Sequence, residues 1–146
     1  YHRQFPWLPV RAHPASERIG HSAMKEASET TILVVDDEEP IRVLLDRFLS
    51  QDDYRIVTAS DVEQALAMLS EQTIDLILLD LHMPGPYDGE ELLFLLRDRG
   101  DEIPIIVVSG WVDDEATING PDCVYAVLKK PINHQQLMDT VRSALA

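Results

Sequence analysis

The 146 residues suit a single domain, and a 45% hydrophobic content supplies enough apolar side chains for a core, which argues against disorder throughout. Twelve basic side chains against 26 acidic leave a net charge of −14, which disfavours nucleic acid and anionic membranes and suits a divalent cation or a basic partner surface. Cys123 is alone, excluding an intrachain disulfide and a cysteine-rich metal site, and no apolar run approaches the ~18 residues that span a bilayer. With no apolar signal-peptide segment near the N-terminus, a reducing, cytoplasmic setting is expected.

Residues 1–29 stand apart. They hold three of the nine prolines and three of the five histidines, without helical or strand periodicity. Four basic and three acidic side chains fall there, so the remainder carries −15 and the acidity belongs to the domain proper. The segment reads as an N-terminal extension or linker. Its histidines match no metal-ligand spacing. The sequence opens on Tyr1, not Met, so it is expected to be a piece or a processed form of something longer.

From Thr30 the chain alternates between two periodicities. TILVV (31–35) is a continuous apolar strand ending in Asp36-Asp37. Glu38-Glu39-Pro40 opens a helix, with acids at its positive end and Pro in its first turn, carried on through Ile41, Leu44, Leu45, Phe48 and Leu49. YRIVTA (54–59) is a second strand, and Ser60-Asp61 offers a cap to a helix bearing Val62, Ala65, Leu66 and Leu69. LILL (76–79) is the third strand, closing on Asp80. A Pro/Gly-rich turn leads to a helix opening at Asp88 or Gly89 and stopped by Gly100. IPIIVV (103–108) precedes Ser109-Gly110, VYAVL (124–128) precedes Lys129-Lys130-Pro131, and Asn133 caps a last helix through Leu137, Val141 and Leu145. Between strands four and five, few apolar anchors and Gly120-Pro121 predict a short or irregular helix.

Five apolar strands alternating with helices predict a parallel α/β sheet covered on both faces. Ligands of such sheets sit at the carboxyl ends of the strands. The polar residues collect there: Asp36 and Asp37 after strand one, Asp80 after strand three, Ser109 after strand four and Lys130 after strand five. Three carboxylates brought together repel, and a hard divalent ion such as Mg²⁺ relieves that repulsion while accepting phosphate oxygens. Without thiolate or imidazole donors the set disfavours zinc. A carboxylate can also act as a nucleophile toward phosphorus, with a lysine and a hydroxyl neutralising the equatorial oxygens. Asp80, isolated after strand three, is the best nucleophile candidate, and Asp36-Asp37 better suit the metal. The competing reading is a set of independent helix caps, a buried hydroxyl and a solvated lysine pair.

VVDDEEP, LILLDLHMP, Ser109-Gly110 and Lys130-Pro131, in this order and each at a strand end, resemble the receiver domain of two-component response regulators across residues 30–146. The resemblance implies a flavodoxin-like, doubly wound (βα)₅ fold with strand order 2-1-3-4-5. It implies that Asp80 is the phosphoacceptor. Asp37, Asp80 and the backbone carbonyl of His82 would bind Mg²⁺ directly, and Asp36 would act through metal-bound water. Ser109 would contact the phosphoryl group, Lys130 would pair with one of its oxygens, and the Lys130–Pro131 bond would be cis. The implied partner is a sensor histidine kinase or a histidine phosphotransfer protein, with an effector domain or a second copy receiving the signal. The domain would then be a signalling switch that catalyses its own phosphorylation and dephosphorylation.

The chain departs from the family pattern in three places. The turn GPYDG after Met83-Pro84 is one residue longer than the commonest form, Gly120-Pro121 interrupts the segment before strand five, and Val127 occupies a position usually held by Phe or Tyr. Tyr125 lies on the alternation with Val127 but is no direct substitute for that ring. His82 and Trp111, each two residues after a site residue, are expected to tune access of water to the phosphoryl group. Two other readings compete: a degenerate receiver acting as a docking module, and a haloacid-dehalogenase-like phosphatase. The latter needs its nucleophile after strand one in a DxD pattern, and this chain reads DDEEP. There is no dinucleotide or P-loop signature.

Overall fold

A computed structural model describes residues 29–83, 88–100, 102–110 and 124–146. Five strands, β1 (Thr31–Val35), β2 (Arg55–Ala59), β3 (Leu76–Leu79), β4 (Ile105–Ser109) and β5 (Val124–Lys129), form one parallel sheet in the order β2-β1-β3-β4-β5. The described helices are α1 (Glu39–Ser50), α2 (Val62–Glu71), α3 (Gly89–Asp98) and α4 (His134–Leu145). This is the expected doubly wound architecture. The extension at 1–28, the turn at 84–87 and the segment 111–123, with Trp111, Gly120-Pro121 and Cys123, lie outside the described residues.

The central strands β1, β3 and β4 are buried along their whole length, which is why they read as unbroken aliphatic runs. Alternation along each strand sorts the core into two layers. Leu33, Val35, Ile77, Leu79, Ile105 and Val107 pack with α2 and α3. Ile32, Val34, Leu76, Leu78, Ile106 and Val108 face the other way, onto α1 and α4. β2 and β5 are sheet edges and carry exposed positions, but they too pack apolar residues on both faces, Val57, Ala59 and Val127 on one and Ile56 and Leu128 on the other, as expected.

Local chemistry sets the helix ends. Asp61, Asp88 and Asn133 are N-caps, their side chains accepting from the amides of Gln64 (2.8 Å), Glu91 (3.1 Å) and Gln136 (2.8 Å). α1 has no side-chain cap and instead carries Pro40 in its first turn. Gly100, with φ of 73°, takes the left-handed conformation just past α3. In the turn before β2, Asp53 holds a positive φ of 64°, a conformation Asp tolerates better than most residues. Arg142 of α4 grips neighbouring Asp52 through Nε at 2.8 Å and Nη2 at 3.2 Å.

β5 departs from the simple alternation. Ile105 pairs with Val124 and Ile106 with Ala126, so Tyr125 is the extra residue of a β-bulge. Val124 and Val127 therefore both pack on the α2/α3 side, while the exposed Tyr125 hydrogen-bonds Ser143 on α4. The expectation that Tyr125 shares an alternation with Val127 is corrected by this bulge. β4 also runs one residue further than expected, so Ser109 is its last member.

The cap at Asp61 is the residue on which α2 depends for its free amides. Asp61→Ala is expected to lower the stability of the chain by about 1 kcal/mol and Asp61→Asn to cost much less, read from urea midpoints at unchanged m.

Candidate functional site

The ladder does not stop where the strands are drawn. The amide of Asp36 donates to the Ala59 carbonyl at 3.1 Å, that of Asp80 to Val35 at 2.9 Å, and that of Lys130 to Ser109 at 2.7 Å. These bonds carry the sheet one residue past the apolar runs and fix where Asp36, Asp80 and Lys130 stand. Because Val35 is level with Leu79, and Leu79 with Val107, the residues that follow emerge side by side. Asp36, Asp80 and Ser109 are all buried.

Lys130 joins the carboxylates. Its Nζ lies 3.1 Å from Asp36 Oδ2, 3.5 Å from Glu38 Oε1 and 3.7 Å from Asp80 Oδ2. The other Asp36 oxygen accepts from the Glu38 amide at 2.9 Å, and the Asp36 carbonyl accepts from Arg42 Nη1 at 2.6 Å. Asp80 Oδ1 accepts from the His82 amide at 3.1 Å. Burial pushes the Asp80 carboxyl up to about 6 from its ordinary 3.8; the His82 amide and Lys130 oppose the rise, while Asp36 and Asp37 add to it. Burial works against the Lys130 ammonium, but its bond to Asp36 and the charges of Asp80 and Glu38 outweigh it and raise its pKa.

Carboxylate oxygens of Asp36, Asp37 and Glu38 come within 4.8 Å of one another. An all-oxygen, anionic donor set of this kind fits a hard divalent cation. This trio holds Glu38, which the sequence marked only as a helix opener, while Asp80 stands across Lys130 from it. The cis Lys130–Pro131 bond is present as expected. The His82 side chain is exposed, and Val127 is half-buried against the α2/α3 core.

Gly89 is a site residue that the sequence did not single out. Its amide donates to the Leu81 carbonyl at 3.1 Å, seating the first turn of α3 on the backbone after β3. A Cβ there would lie 2.1 Å from the Asp80 carbonyl oxygen and 2.6 Å from Leu81 Cα, so only glycine fits. The signal was a glycine directly after a capping Asp, in a position ordinarily read as plain turn chemistry.

The fold and this carboxylate–lysine edge define a class of doubly wound α/β domain with an acidic site at the carboxyl ends of its strands, and comparison places the chain in a family of that class. The family model described as response regulator receiver domain matches residues 32–142. The hydrogenase transcriptional regulatory protein HoxA of Cupriavidus necator is 40% identical over 119 residues, 80% of this chain and 24% of HoxA. The transcriptional regulatory protein AruR of Pseudomonas aeruginosa is 36% identical over 122 residues, 78% of this chain and 48% of AruR. The chain thus spans about a quarter to a half of these relatives. Response regulator TrrA of Thermotoga maritima, solved with Mg²⁺ and BeF, superposes with a TM-score of 0.71 at 30% identity, covering 79% of this chain and 98% of TrrA. This chain belongs to the response regulator receiver domain family, homologous to the phosphoacceptor domains of two-component systems.

Two outcomes follow from the geometry. With its folded pKa above the unfolded value, ionised Asp80 works against the fold at pH above about 6, and that burden is absent below pH 4, where both states are protonated. In metal-chelating buffer, Asp80→Asn should raise Tm by several degrees at pH 7.5, with the gain fading as pH falls from 6 toward 4. Gly89→Ala should destabilise by about 2 kcal/mol or more in urea unfolding, because backbone atoms cannot yield to the new methyl group.

Proposed function

We propose that the chain receives a phosphoryl group on Asp80 from a histidine kinase or a histidine phosphotransfer protein. The observation that carries this reading is the Lys130 ammonium set between buried Asp36 and Asp80 at the carboxyl edge of the sheet, 3.1 and 3.7 Å from their oxygens. A carboxylate oxygen of Asp80 forms the new O–P bond as the P–N bond to the donor imidazole breaks; that nitrogen keeps the electron pair and takes up a proton. Lys130 neutralises charge on a phosphoryl oxygen, and the Ser109 hydroxyl donates to another. Hydrolysis by water restores the carboxylate, so the domain catalyses both formation and loss of its own phosphoryl group.

Asp36, Asp37 and Asp80, with the His82 carbonyl, are the residues we assign to Mg²⁺. When bound, the ion supplies positive charge that offsets the carboxylates and the incoming phosphoryl oxygens. The all-oxygen donors of the trio support the choice of a hard cation. Asp36 is already committed to Lys130 and to the Glu38 amide, which suits it to a supporting role in that set.

The new charge on Asp80 biases two conformations of the carboxyl edge, and the output is the resulting population shift. We assign Ser109 and His82 to the response to that change, His82 through its amide bond to Asp80, and Trp111 to rate tuning by its position in the sequence. Val127 brings no ring, so coupling from Ser109 to β5 has the backbone ladder, with the Lys130 amide on the Ser109 carbonyl at 2.7 Å, and packing to run through. We place the domain in the cytoplasm, signalling to an effector domain or a second copy of itself; no helix among the described residues is long and apolar enough to cross a membrane. Residues 1–29 are assigned as a linker outside the receiver unit.

Incubation with acetyl phosphate and Mg²⁺ should add one phosphoryl group to the intact mass. The adduct should be absent from Asp80→Asn and absent when Mg²⁺ is chelated. An unmodified wild-type chain under these conditions would overturn the assignment and favour a docking module.

A further inference from the structure

We propose that Glu38 is a releasable latch on Lys130, a positioning residue that holds the ammonium away from the phosphoryl position until the phosphoryl group competes for it. The inference rests on the phosphoacceptor reading above and adds a regulatory role for a residue outside the assigned metal and phosphoryl contacts.

Three carboxylates meet Lys130, and they are not equivalent. Asp36 and Asp80 are buried, with side chains 2% and 5% exposed, and each is fixed by a backbone amide. Neither can leave without giving up that amide bond and its buried position. Glu38 is 58% exposed, carries one more methylene, and has no side-chain role in capping α1. Its carboxylate is already mostly hydrated, so swinging away costs little. Its backbone, in contrast, is held firmly: the Glu38 amide donates to Asp36 Oδ1, and the Glu38 carbonyl accepts from Ile41 and Arg42 in the first turn of α1. A fixed backbone with an exposed, charged tip 3.5 Å from the ammonium is the arrangement of a latch.

Lys130 has to turn toward a phosphoryl oxygen on Asp80 for transfer. Its bond to Asp36, a buried neighbour of Asp80, is compatible with that turn, whereas Glu38 offers Nζ a carboxylate that is itself largely in solvent. Glu38 therefore competes with the phosphoryl group for the same ammonium. Removing its charge should favour the phosphoryl-bound state. An alternative role for Glu38 is that of a metal ligand, since its oxygen lies in the trio with Asp36 and Asp37. The two roles predict opposite results, because a lost ligand weakens Mg²⁺ binding and with it everything that depends on Mg²⁺.

The test is calorimetric titration of the full chain with beryllofluoride in saturating Mg²⁺, and separately with Mg²⁺ alone, for wild type, Glu38→Gln, Glu38→Asp and Glu39→Gln. Glu39 is the control: an exposed neighbour of equal charge at the start of α1. Glu38→Gln should bind beryllofluoride about two- to fivefold tighter, the range that one partly exposed ion pair supports. Glu38→Asp, which keeps the charge but shortens the reach, should show a similar gain. Glu39→Gln should stay near wild type, and Mg²⁺ affinity should hold within about twofold in all variants, as expected for charge changes without a lost ligand. If wild type binds beryllofluoride but Glu38→Gln gains no more than Glu39→Gln, the latch is wrong and the phosphoacceptor reading stands. Weaker Mg²⁺ binding by Glu38→Gln beyond that limit makes Glu38 a ligand and also overturns the latch. A wild-type chain that binds no beryllofluoride under Mg²⁺ removes the phosphoacceptor reading, and the latch falls with it.

Discussion

Two carboxylates at the ends of adjacent central strands are buried, and the ammonium of Lys130 stands between them. Burying an ionised group without a partner costs several kcal/mol, and the carboxyl edge of this sheet is tolerable because the amides of Glu38 and His82 bond Asp36 and Asp80 while Lys130, just past β5, reaches back across β4 to both. The compensation is incomplete. The carboxyl of Asp80 still sits well above its ordinary pKa, with burial as the main cause and the neighbouring acids Asp36 and Asp37 adding to it. A site left with surplus negative charge and an acceptor oxygen is prepared for a cation and for an electrophile that draws charge away.

The remainder of the fold serves to hold that edge in register. Three inner strands buried on both faces make the sheet stiff where Asp36, Asp80 and Ser109 leave it, and the ladder bonds that continue past the strands remove the last freedom of their backbones. On one side α3 is seated directly on the Asp80 carbonyl through Gly89. On the other, α1 starts from the Asp36 loop, its first turn tied to that loop by Arg42 and by the amide of Glu38. The starts of two helices on opposite faces of the sheet thus adjoin the carboxyl edge, α3 at Asp80 and α1 at Asp36.

Much of this was readable from residue order. LILL followed by Asp80, the Ser109-Gly110 pair and Lys130-Pro131 marked the strand ends, and a parallel sheet brings such ends to one edge whatever the details of packing. The caps at Asp61 and Asn133 were equally legible, because capping is an interaction across three residues, whereas Asp88 reads from the sequence only as a candidate first residue of its helix. Tyr125 was misread for the opposite reason: a bulge is decided by how β5 must fit against β4, and nothing in VYAVL announces the residue left over. Gly89 looked like part of a turn, and its real constraint is a carbonyl oxygen nine positions earlier that only the docking of α3 brings close.

Element order, helix ends and the identity of the polar residues at the sheet edge were determined by the sequence itself, since strand and helix periodicities and caps are local properties of neighbouring residues. The sharing of Lys130 among Asp36, Glu38 and Asp80 was decided only by the tertiary structure. Lys130 lies 94 residues from Asp36 and 92 from Glu38, and distances of a few ångströms across that separation are set by sheet register and helix packing. Local pattern could name the charges, but it had no means of ranking which carboxylate holds the ammonium and which one is free to let it go.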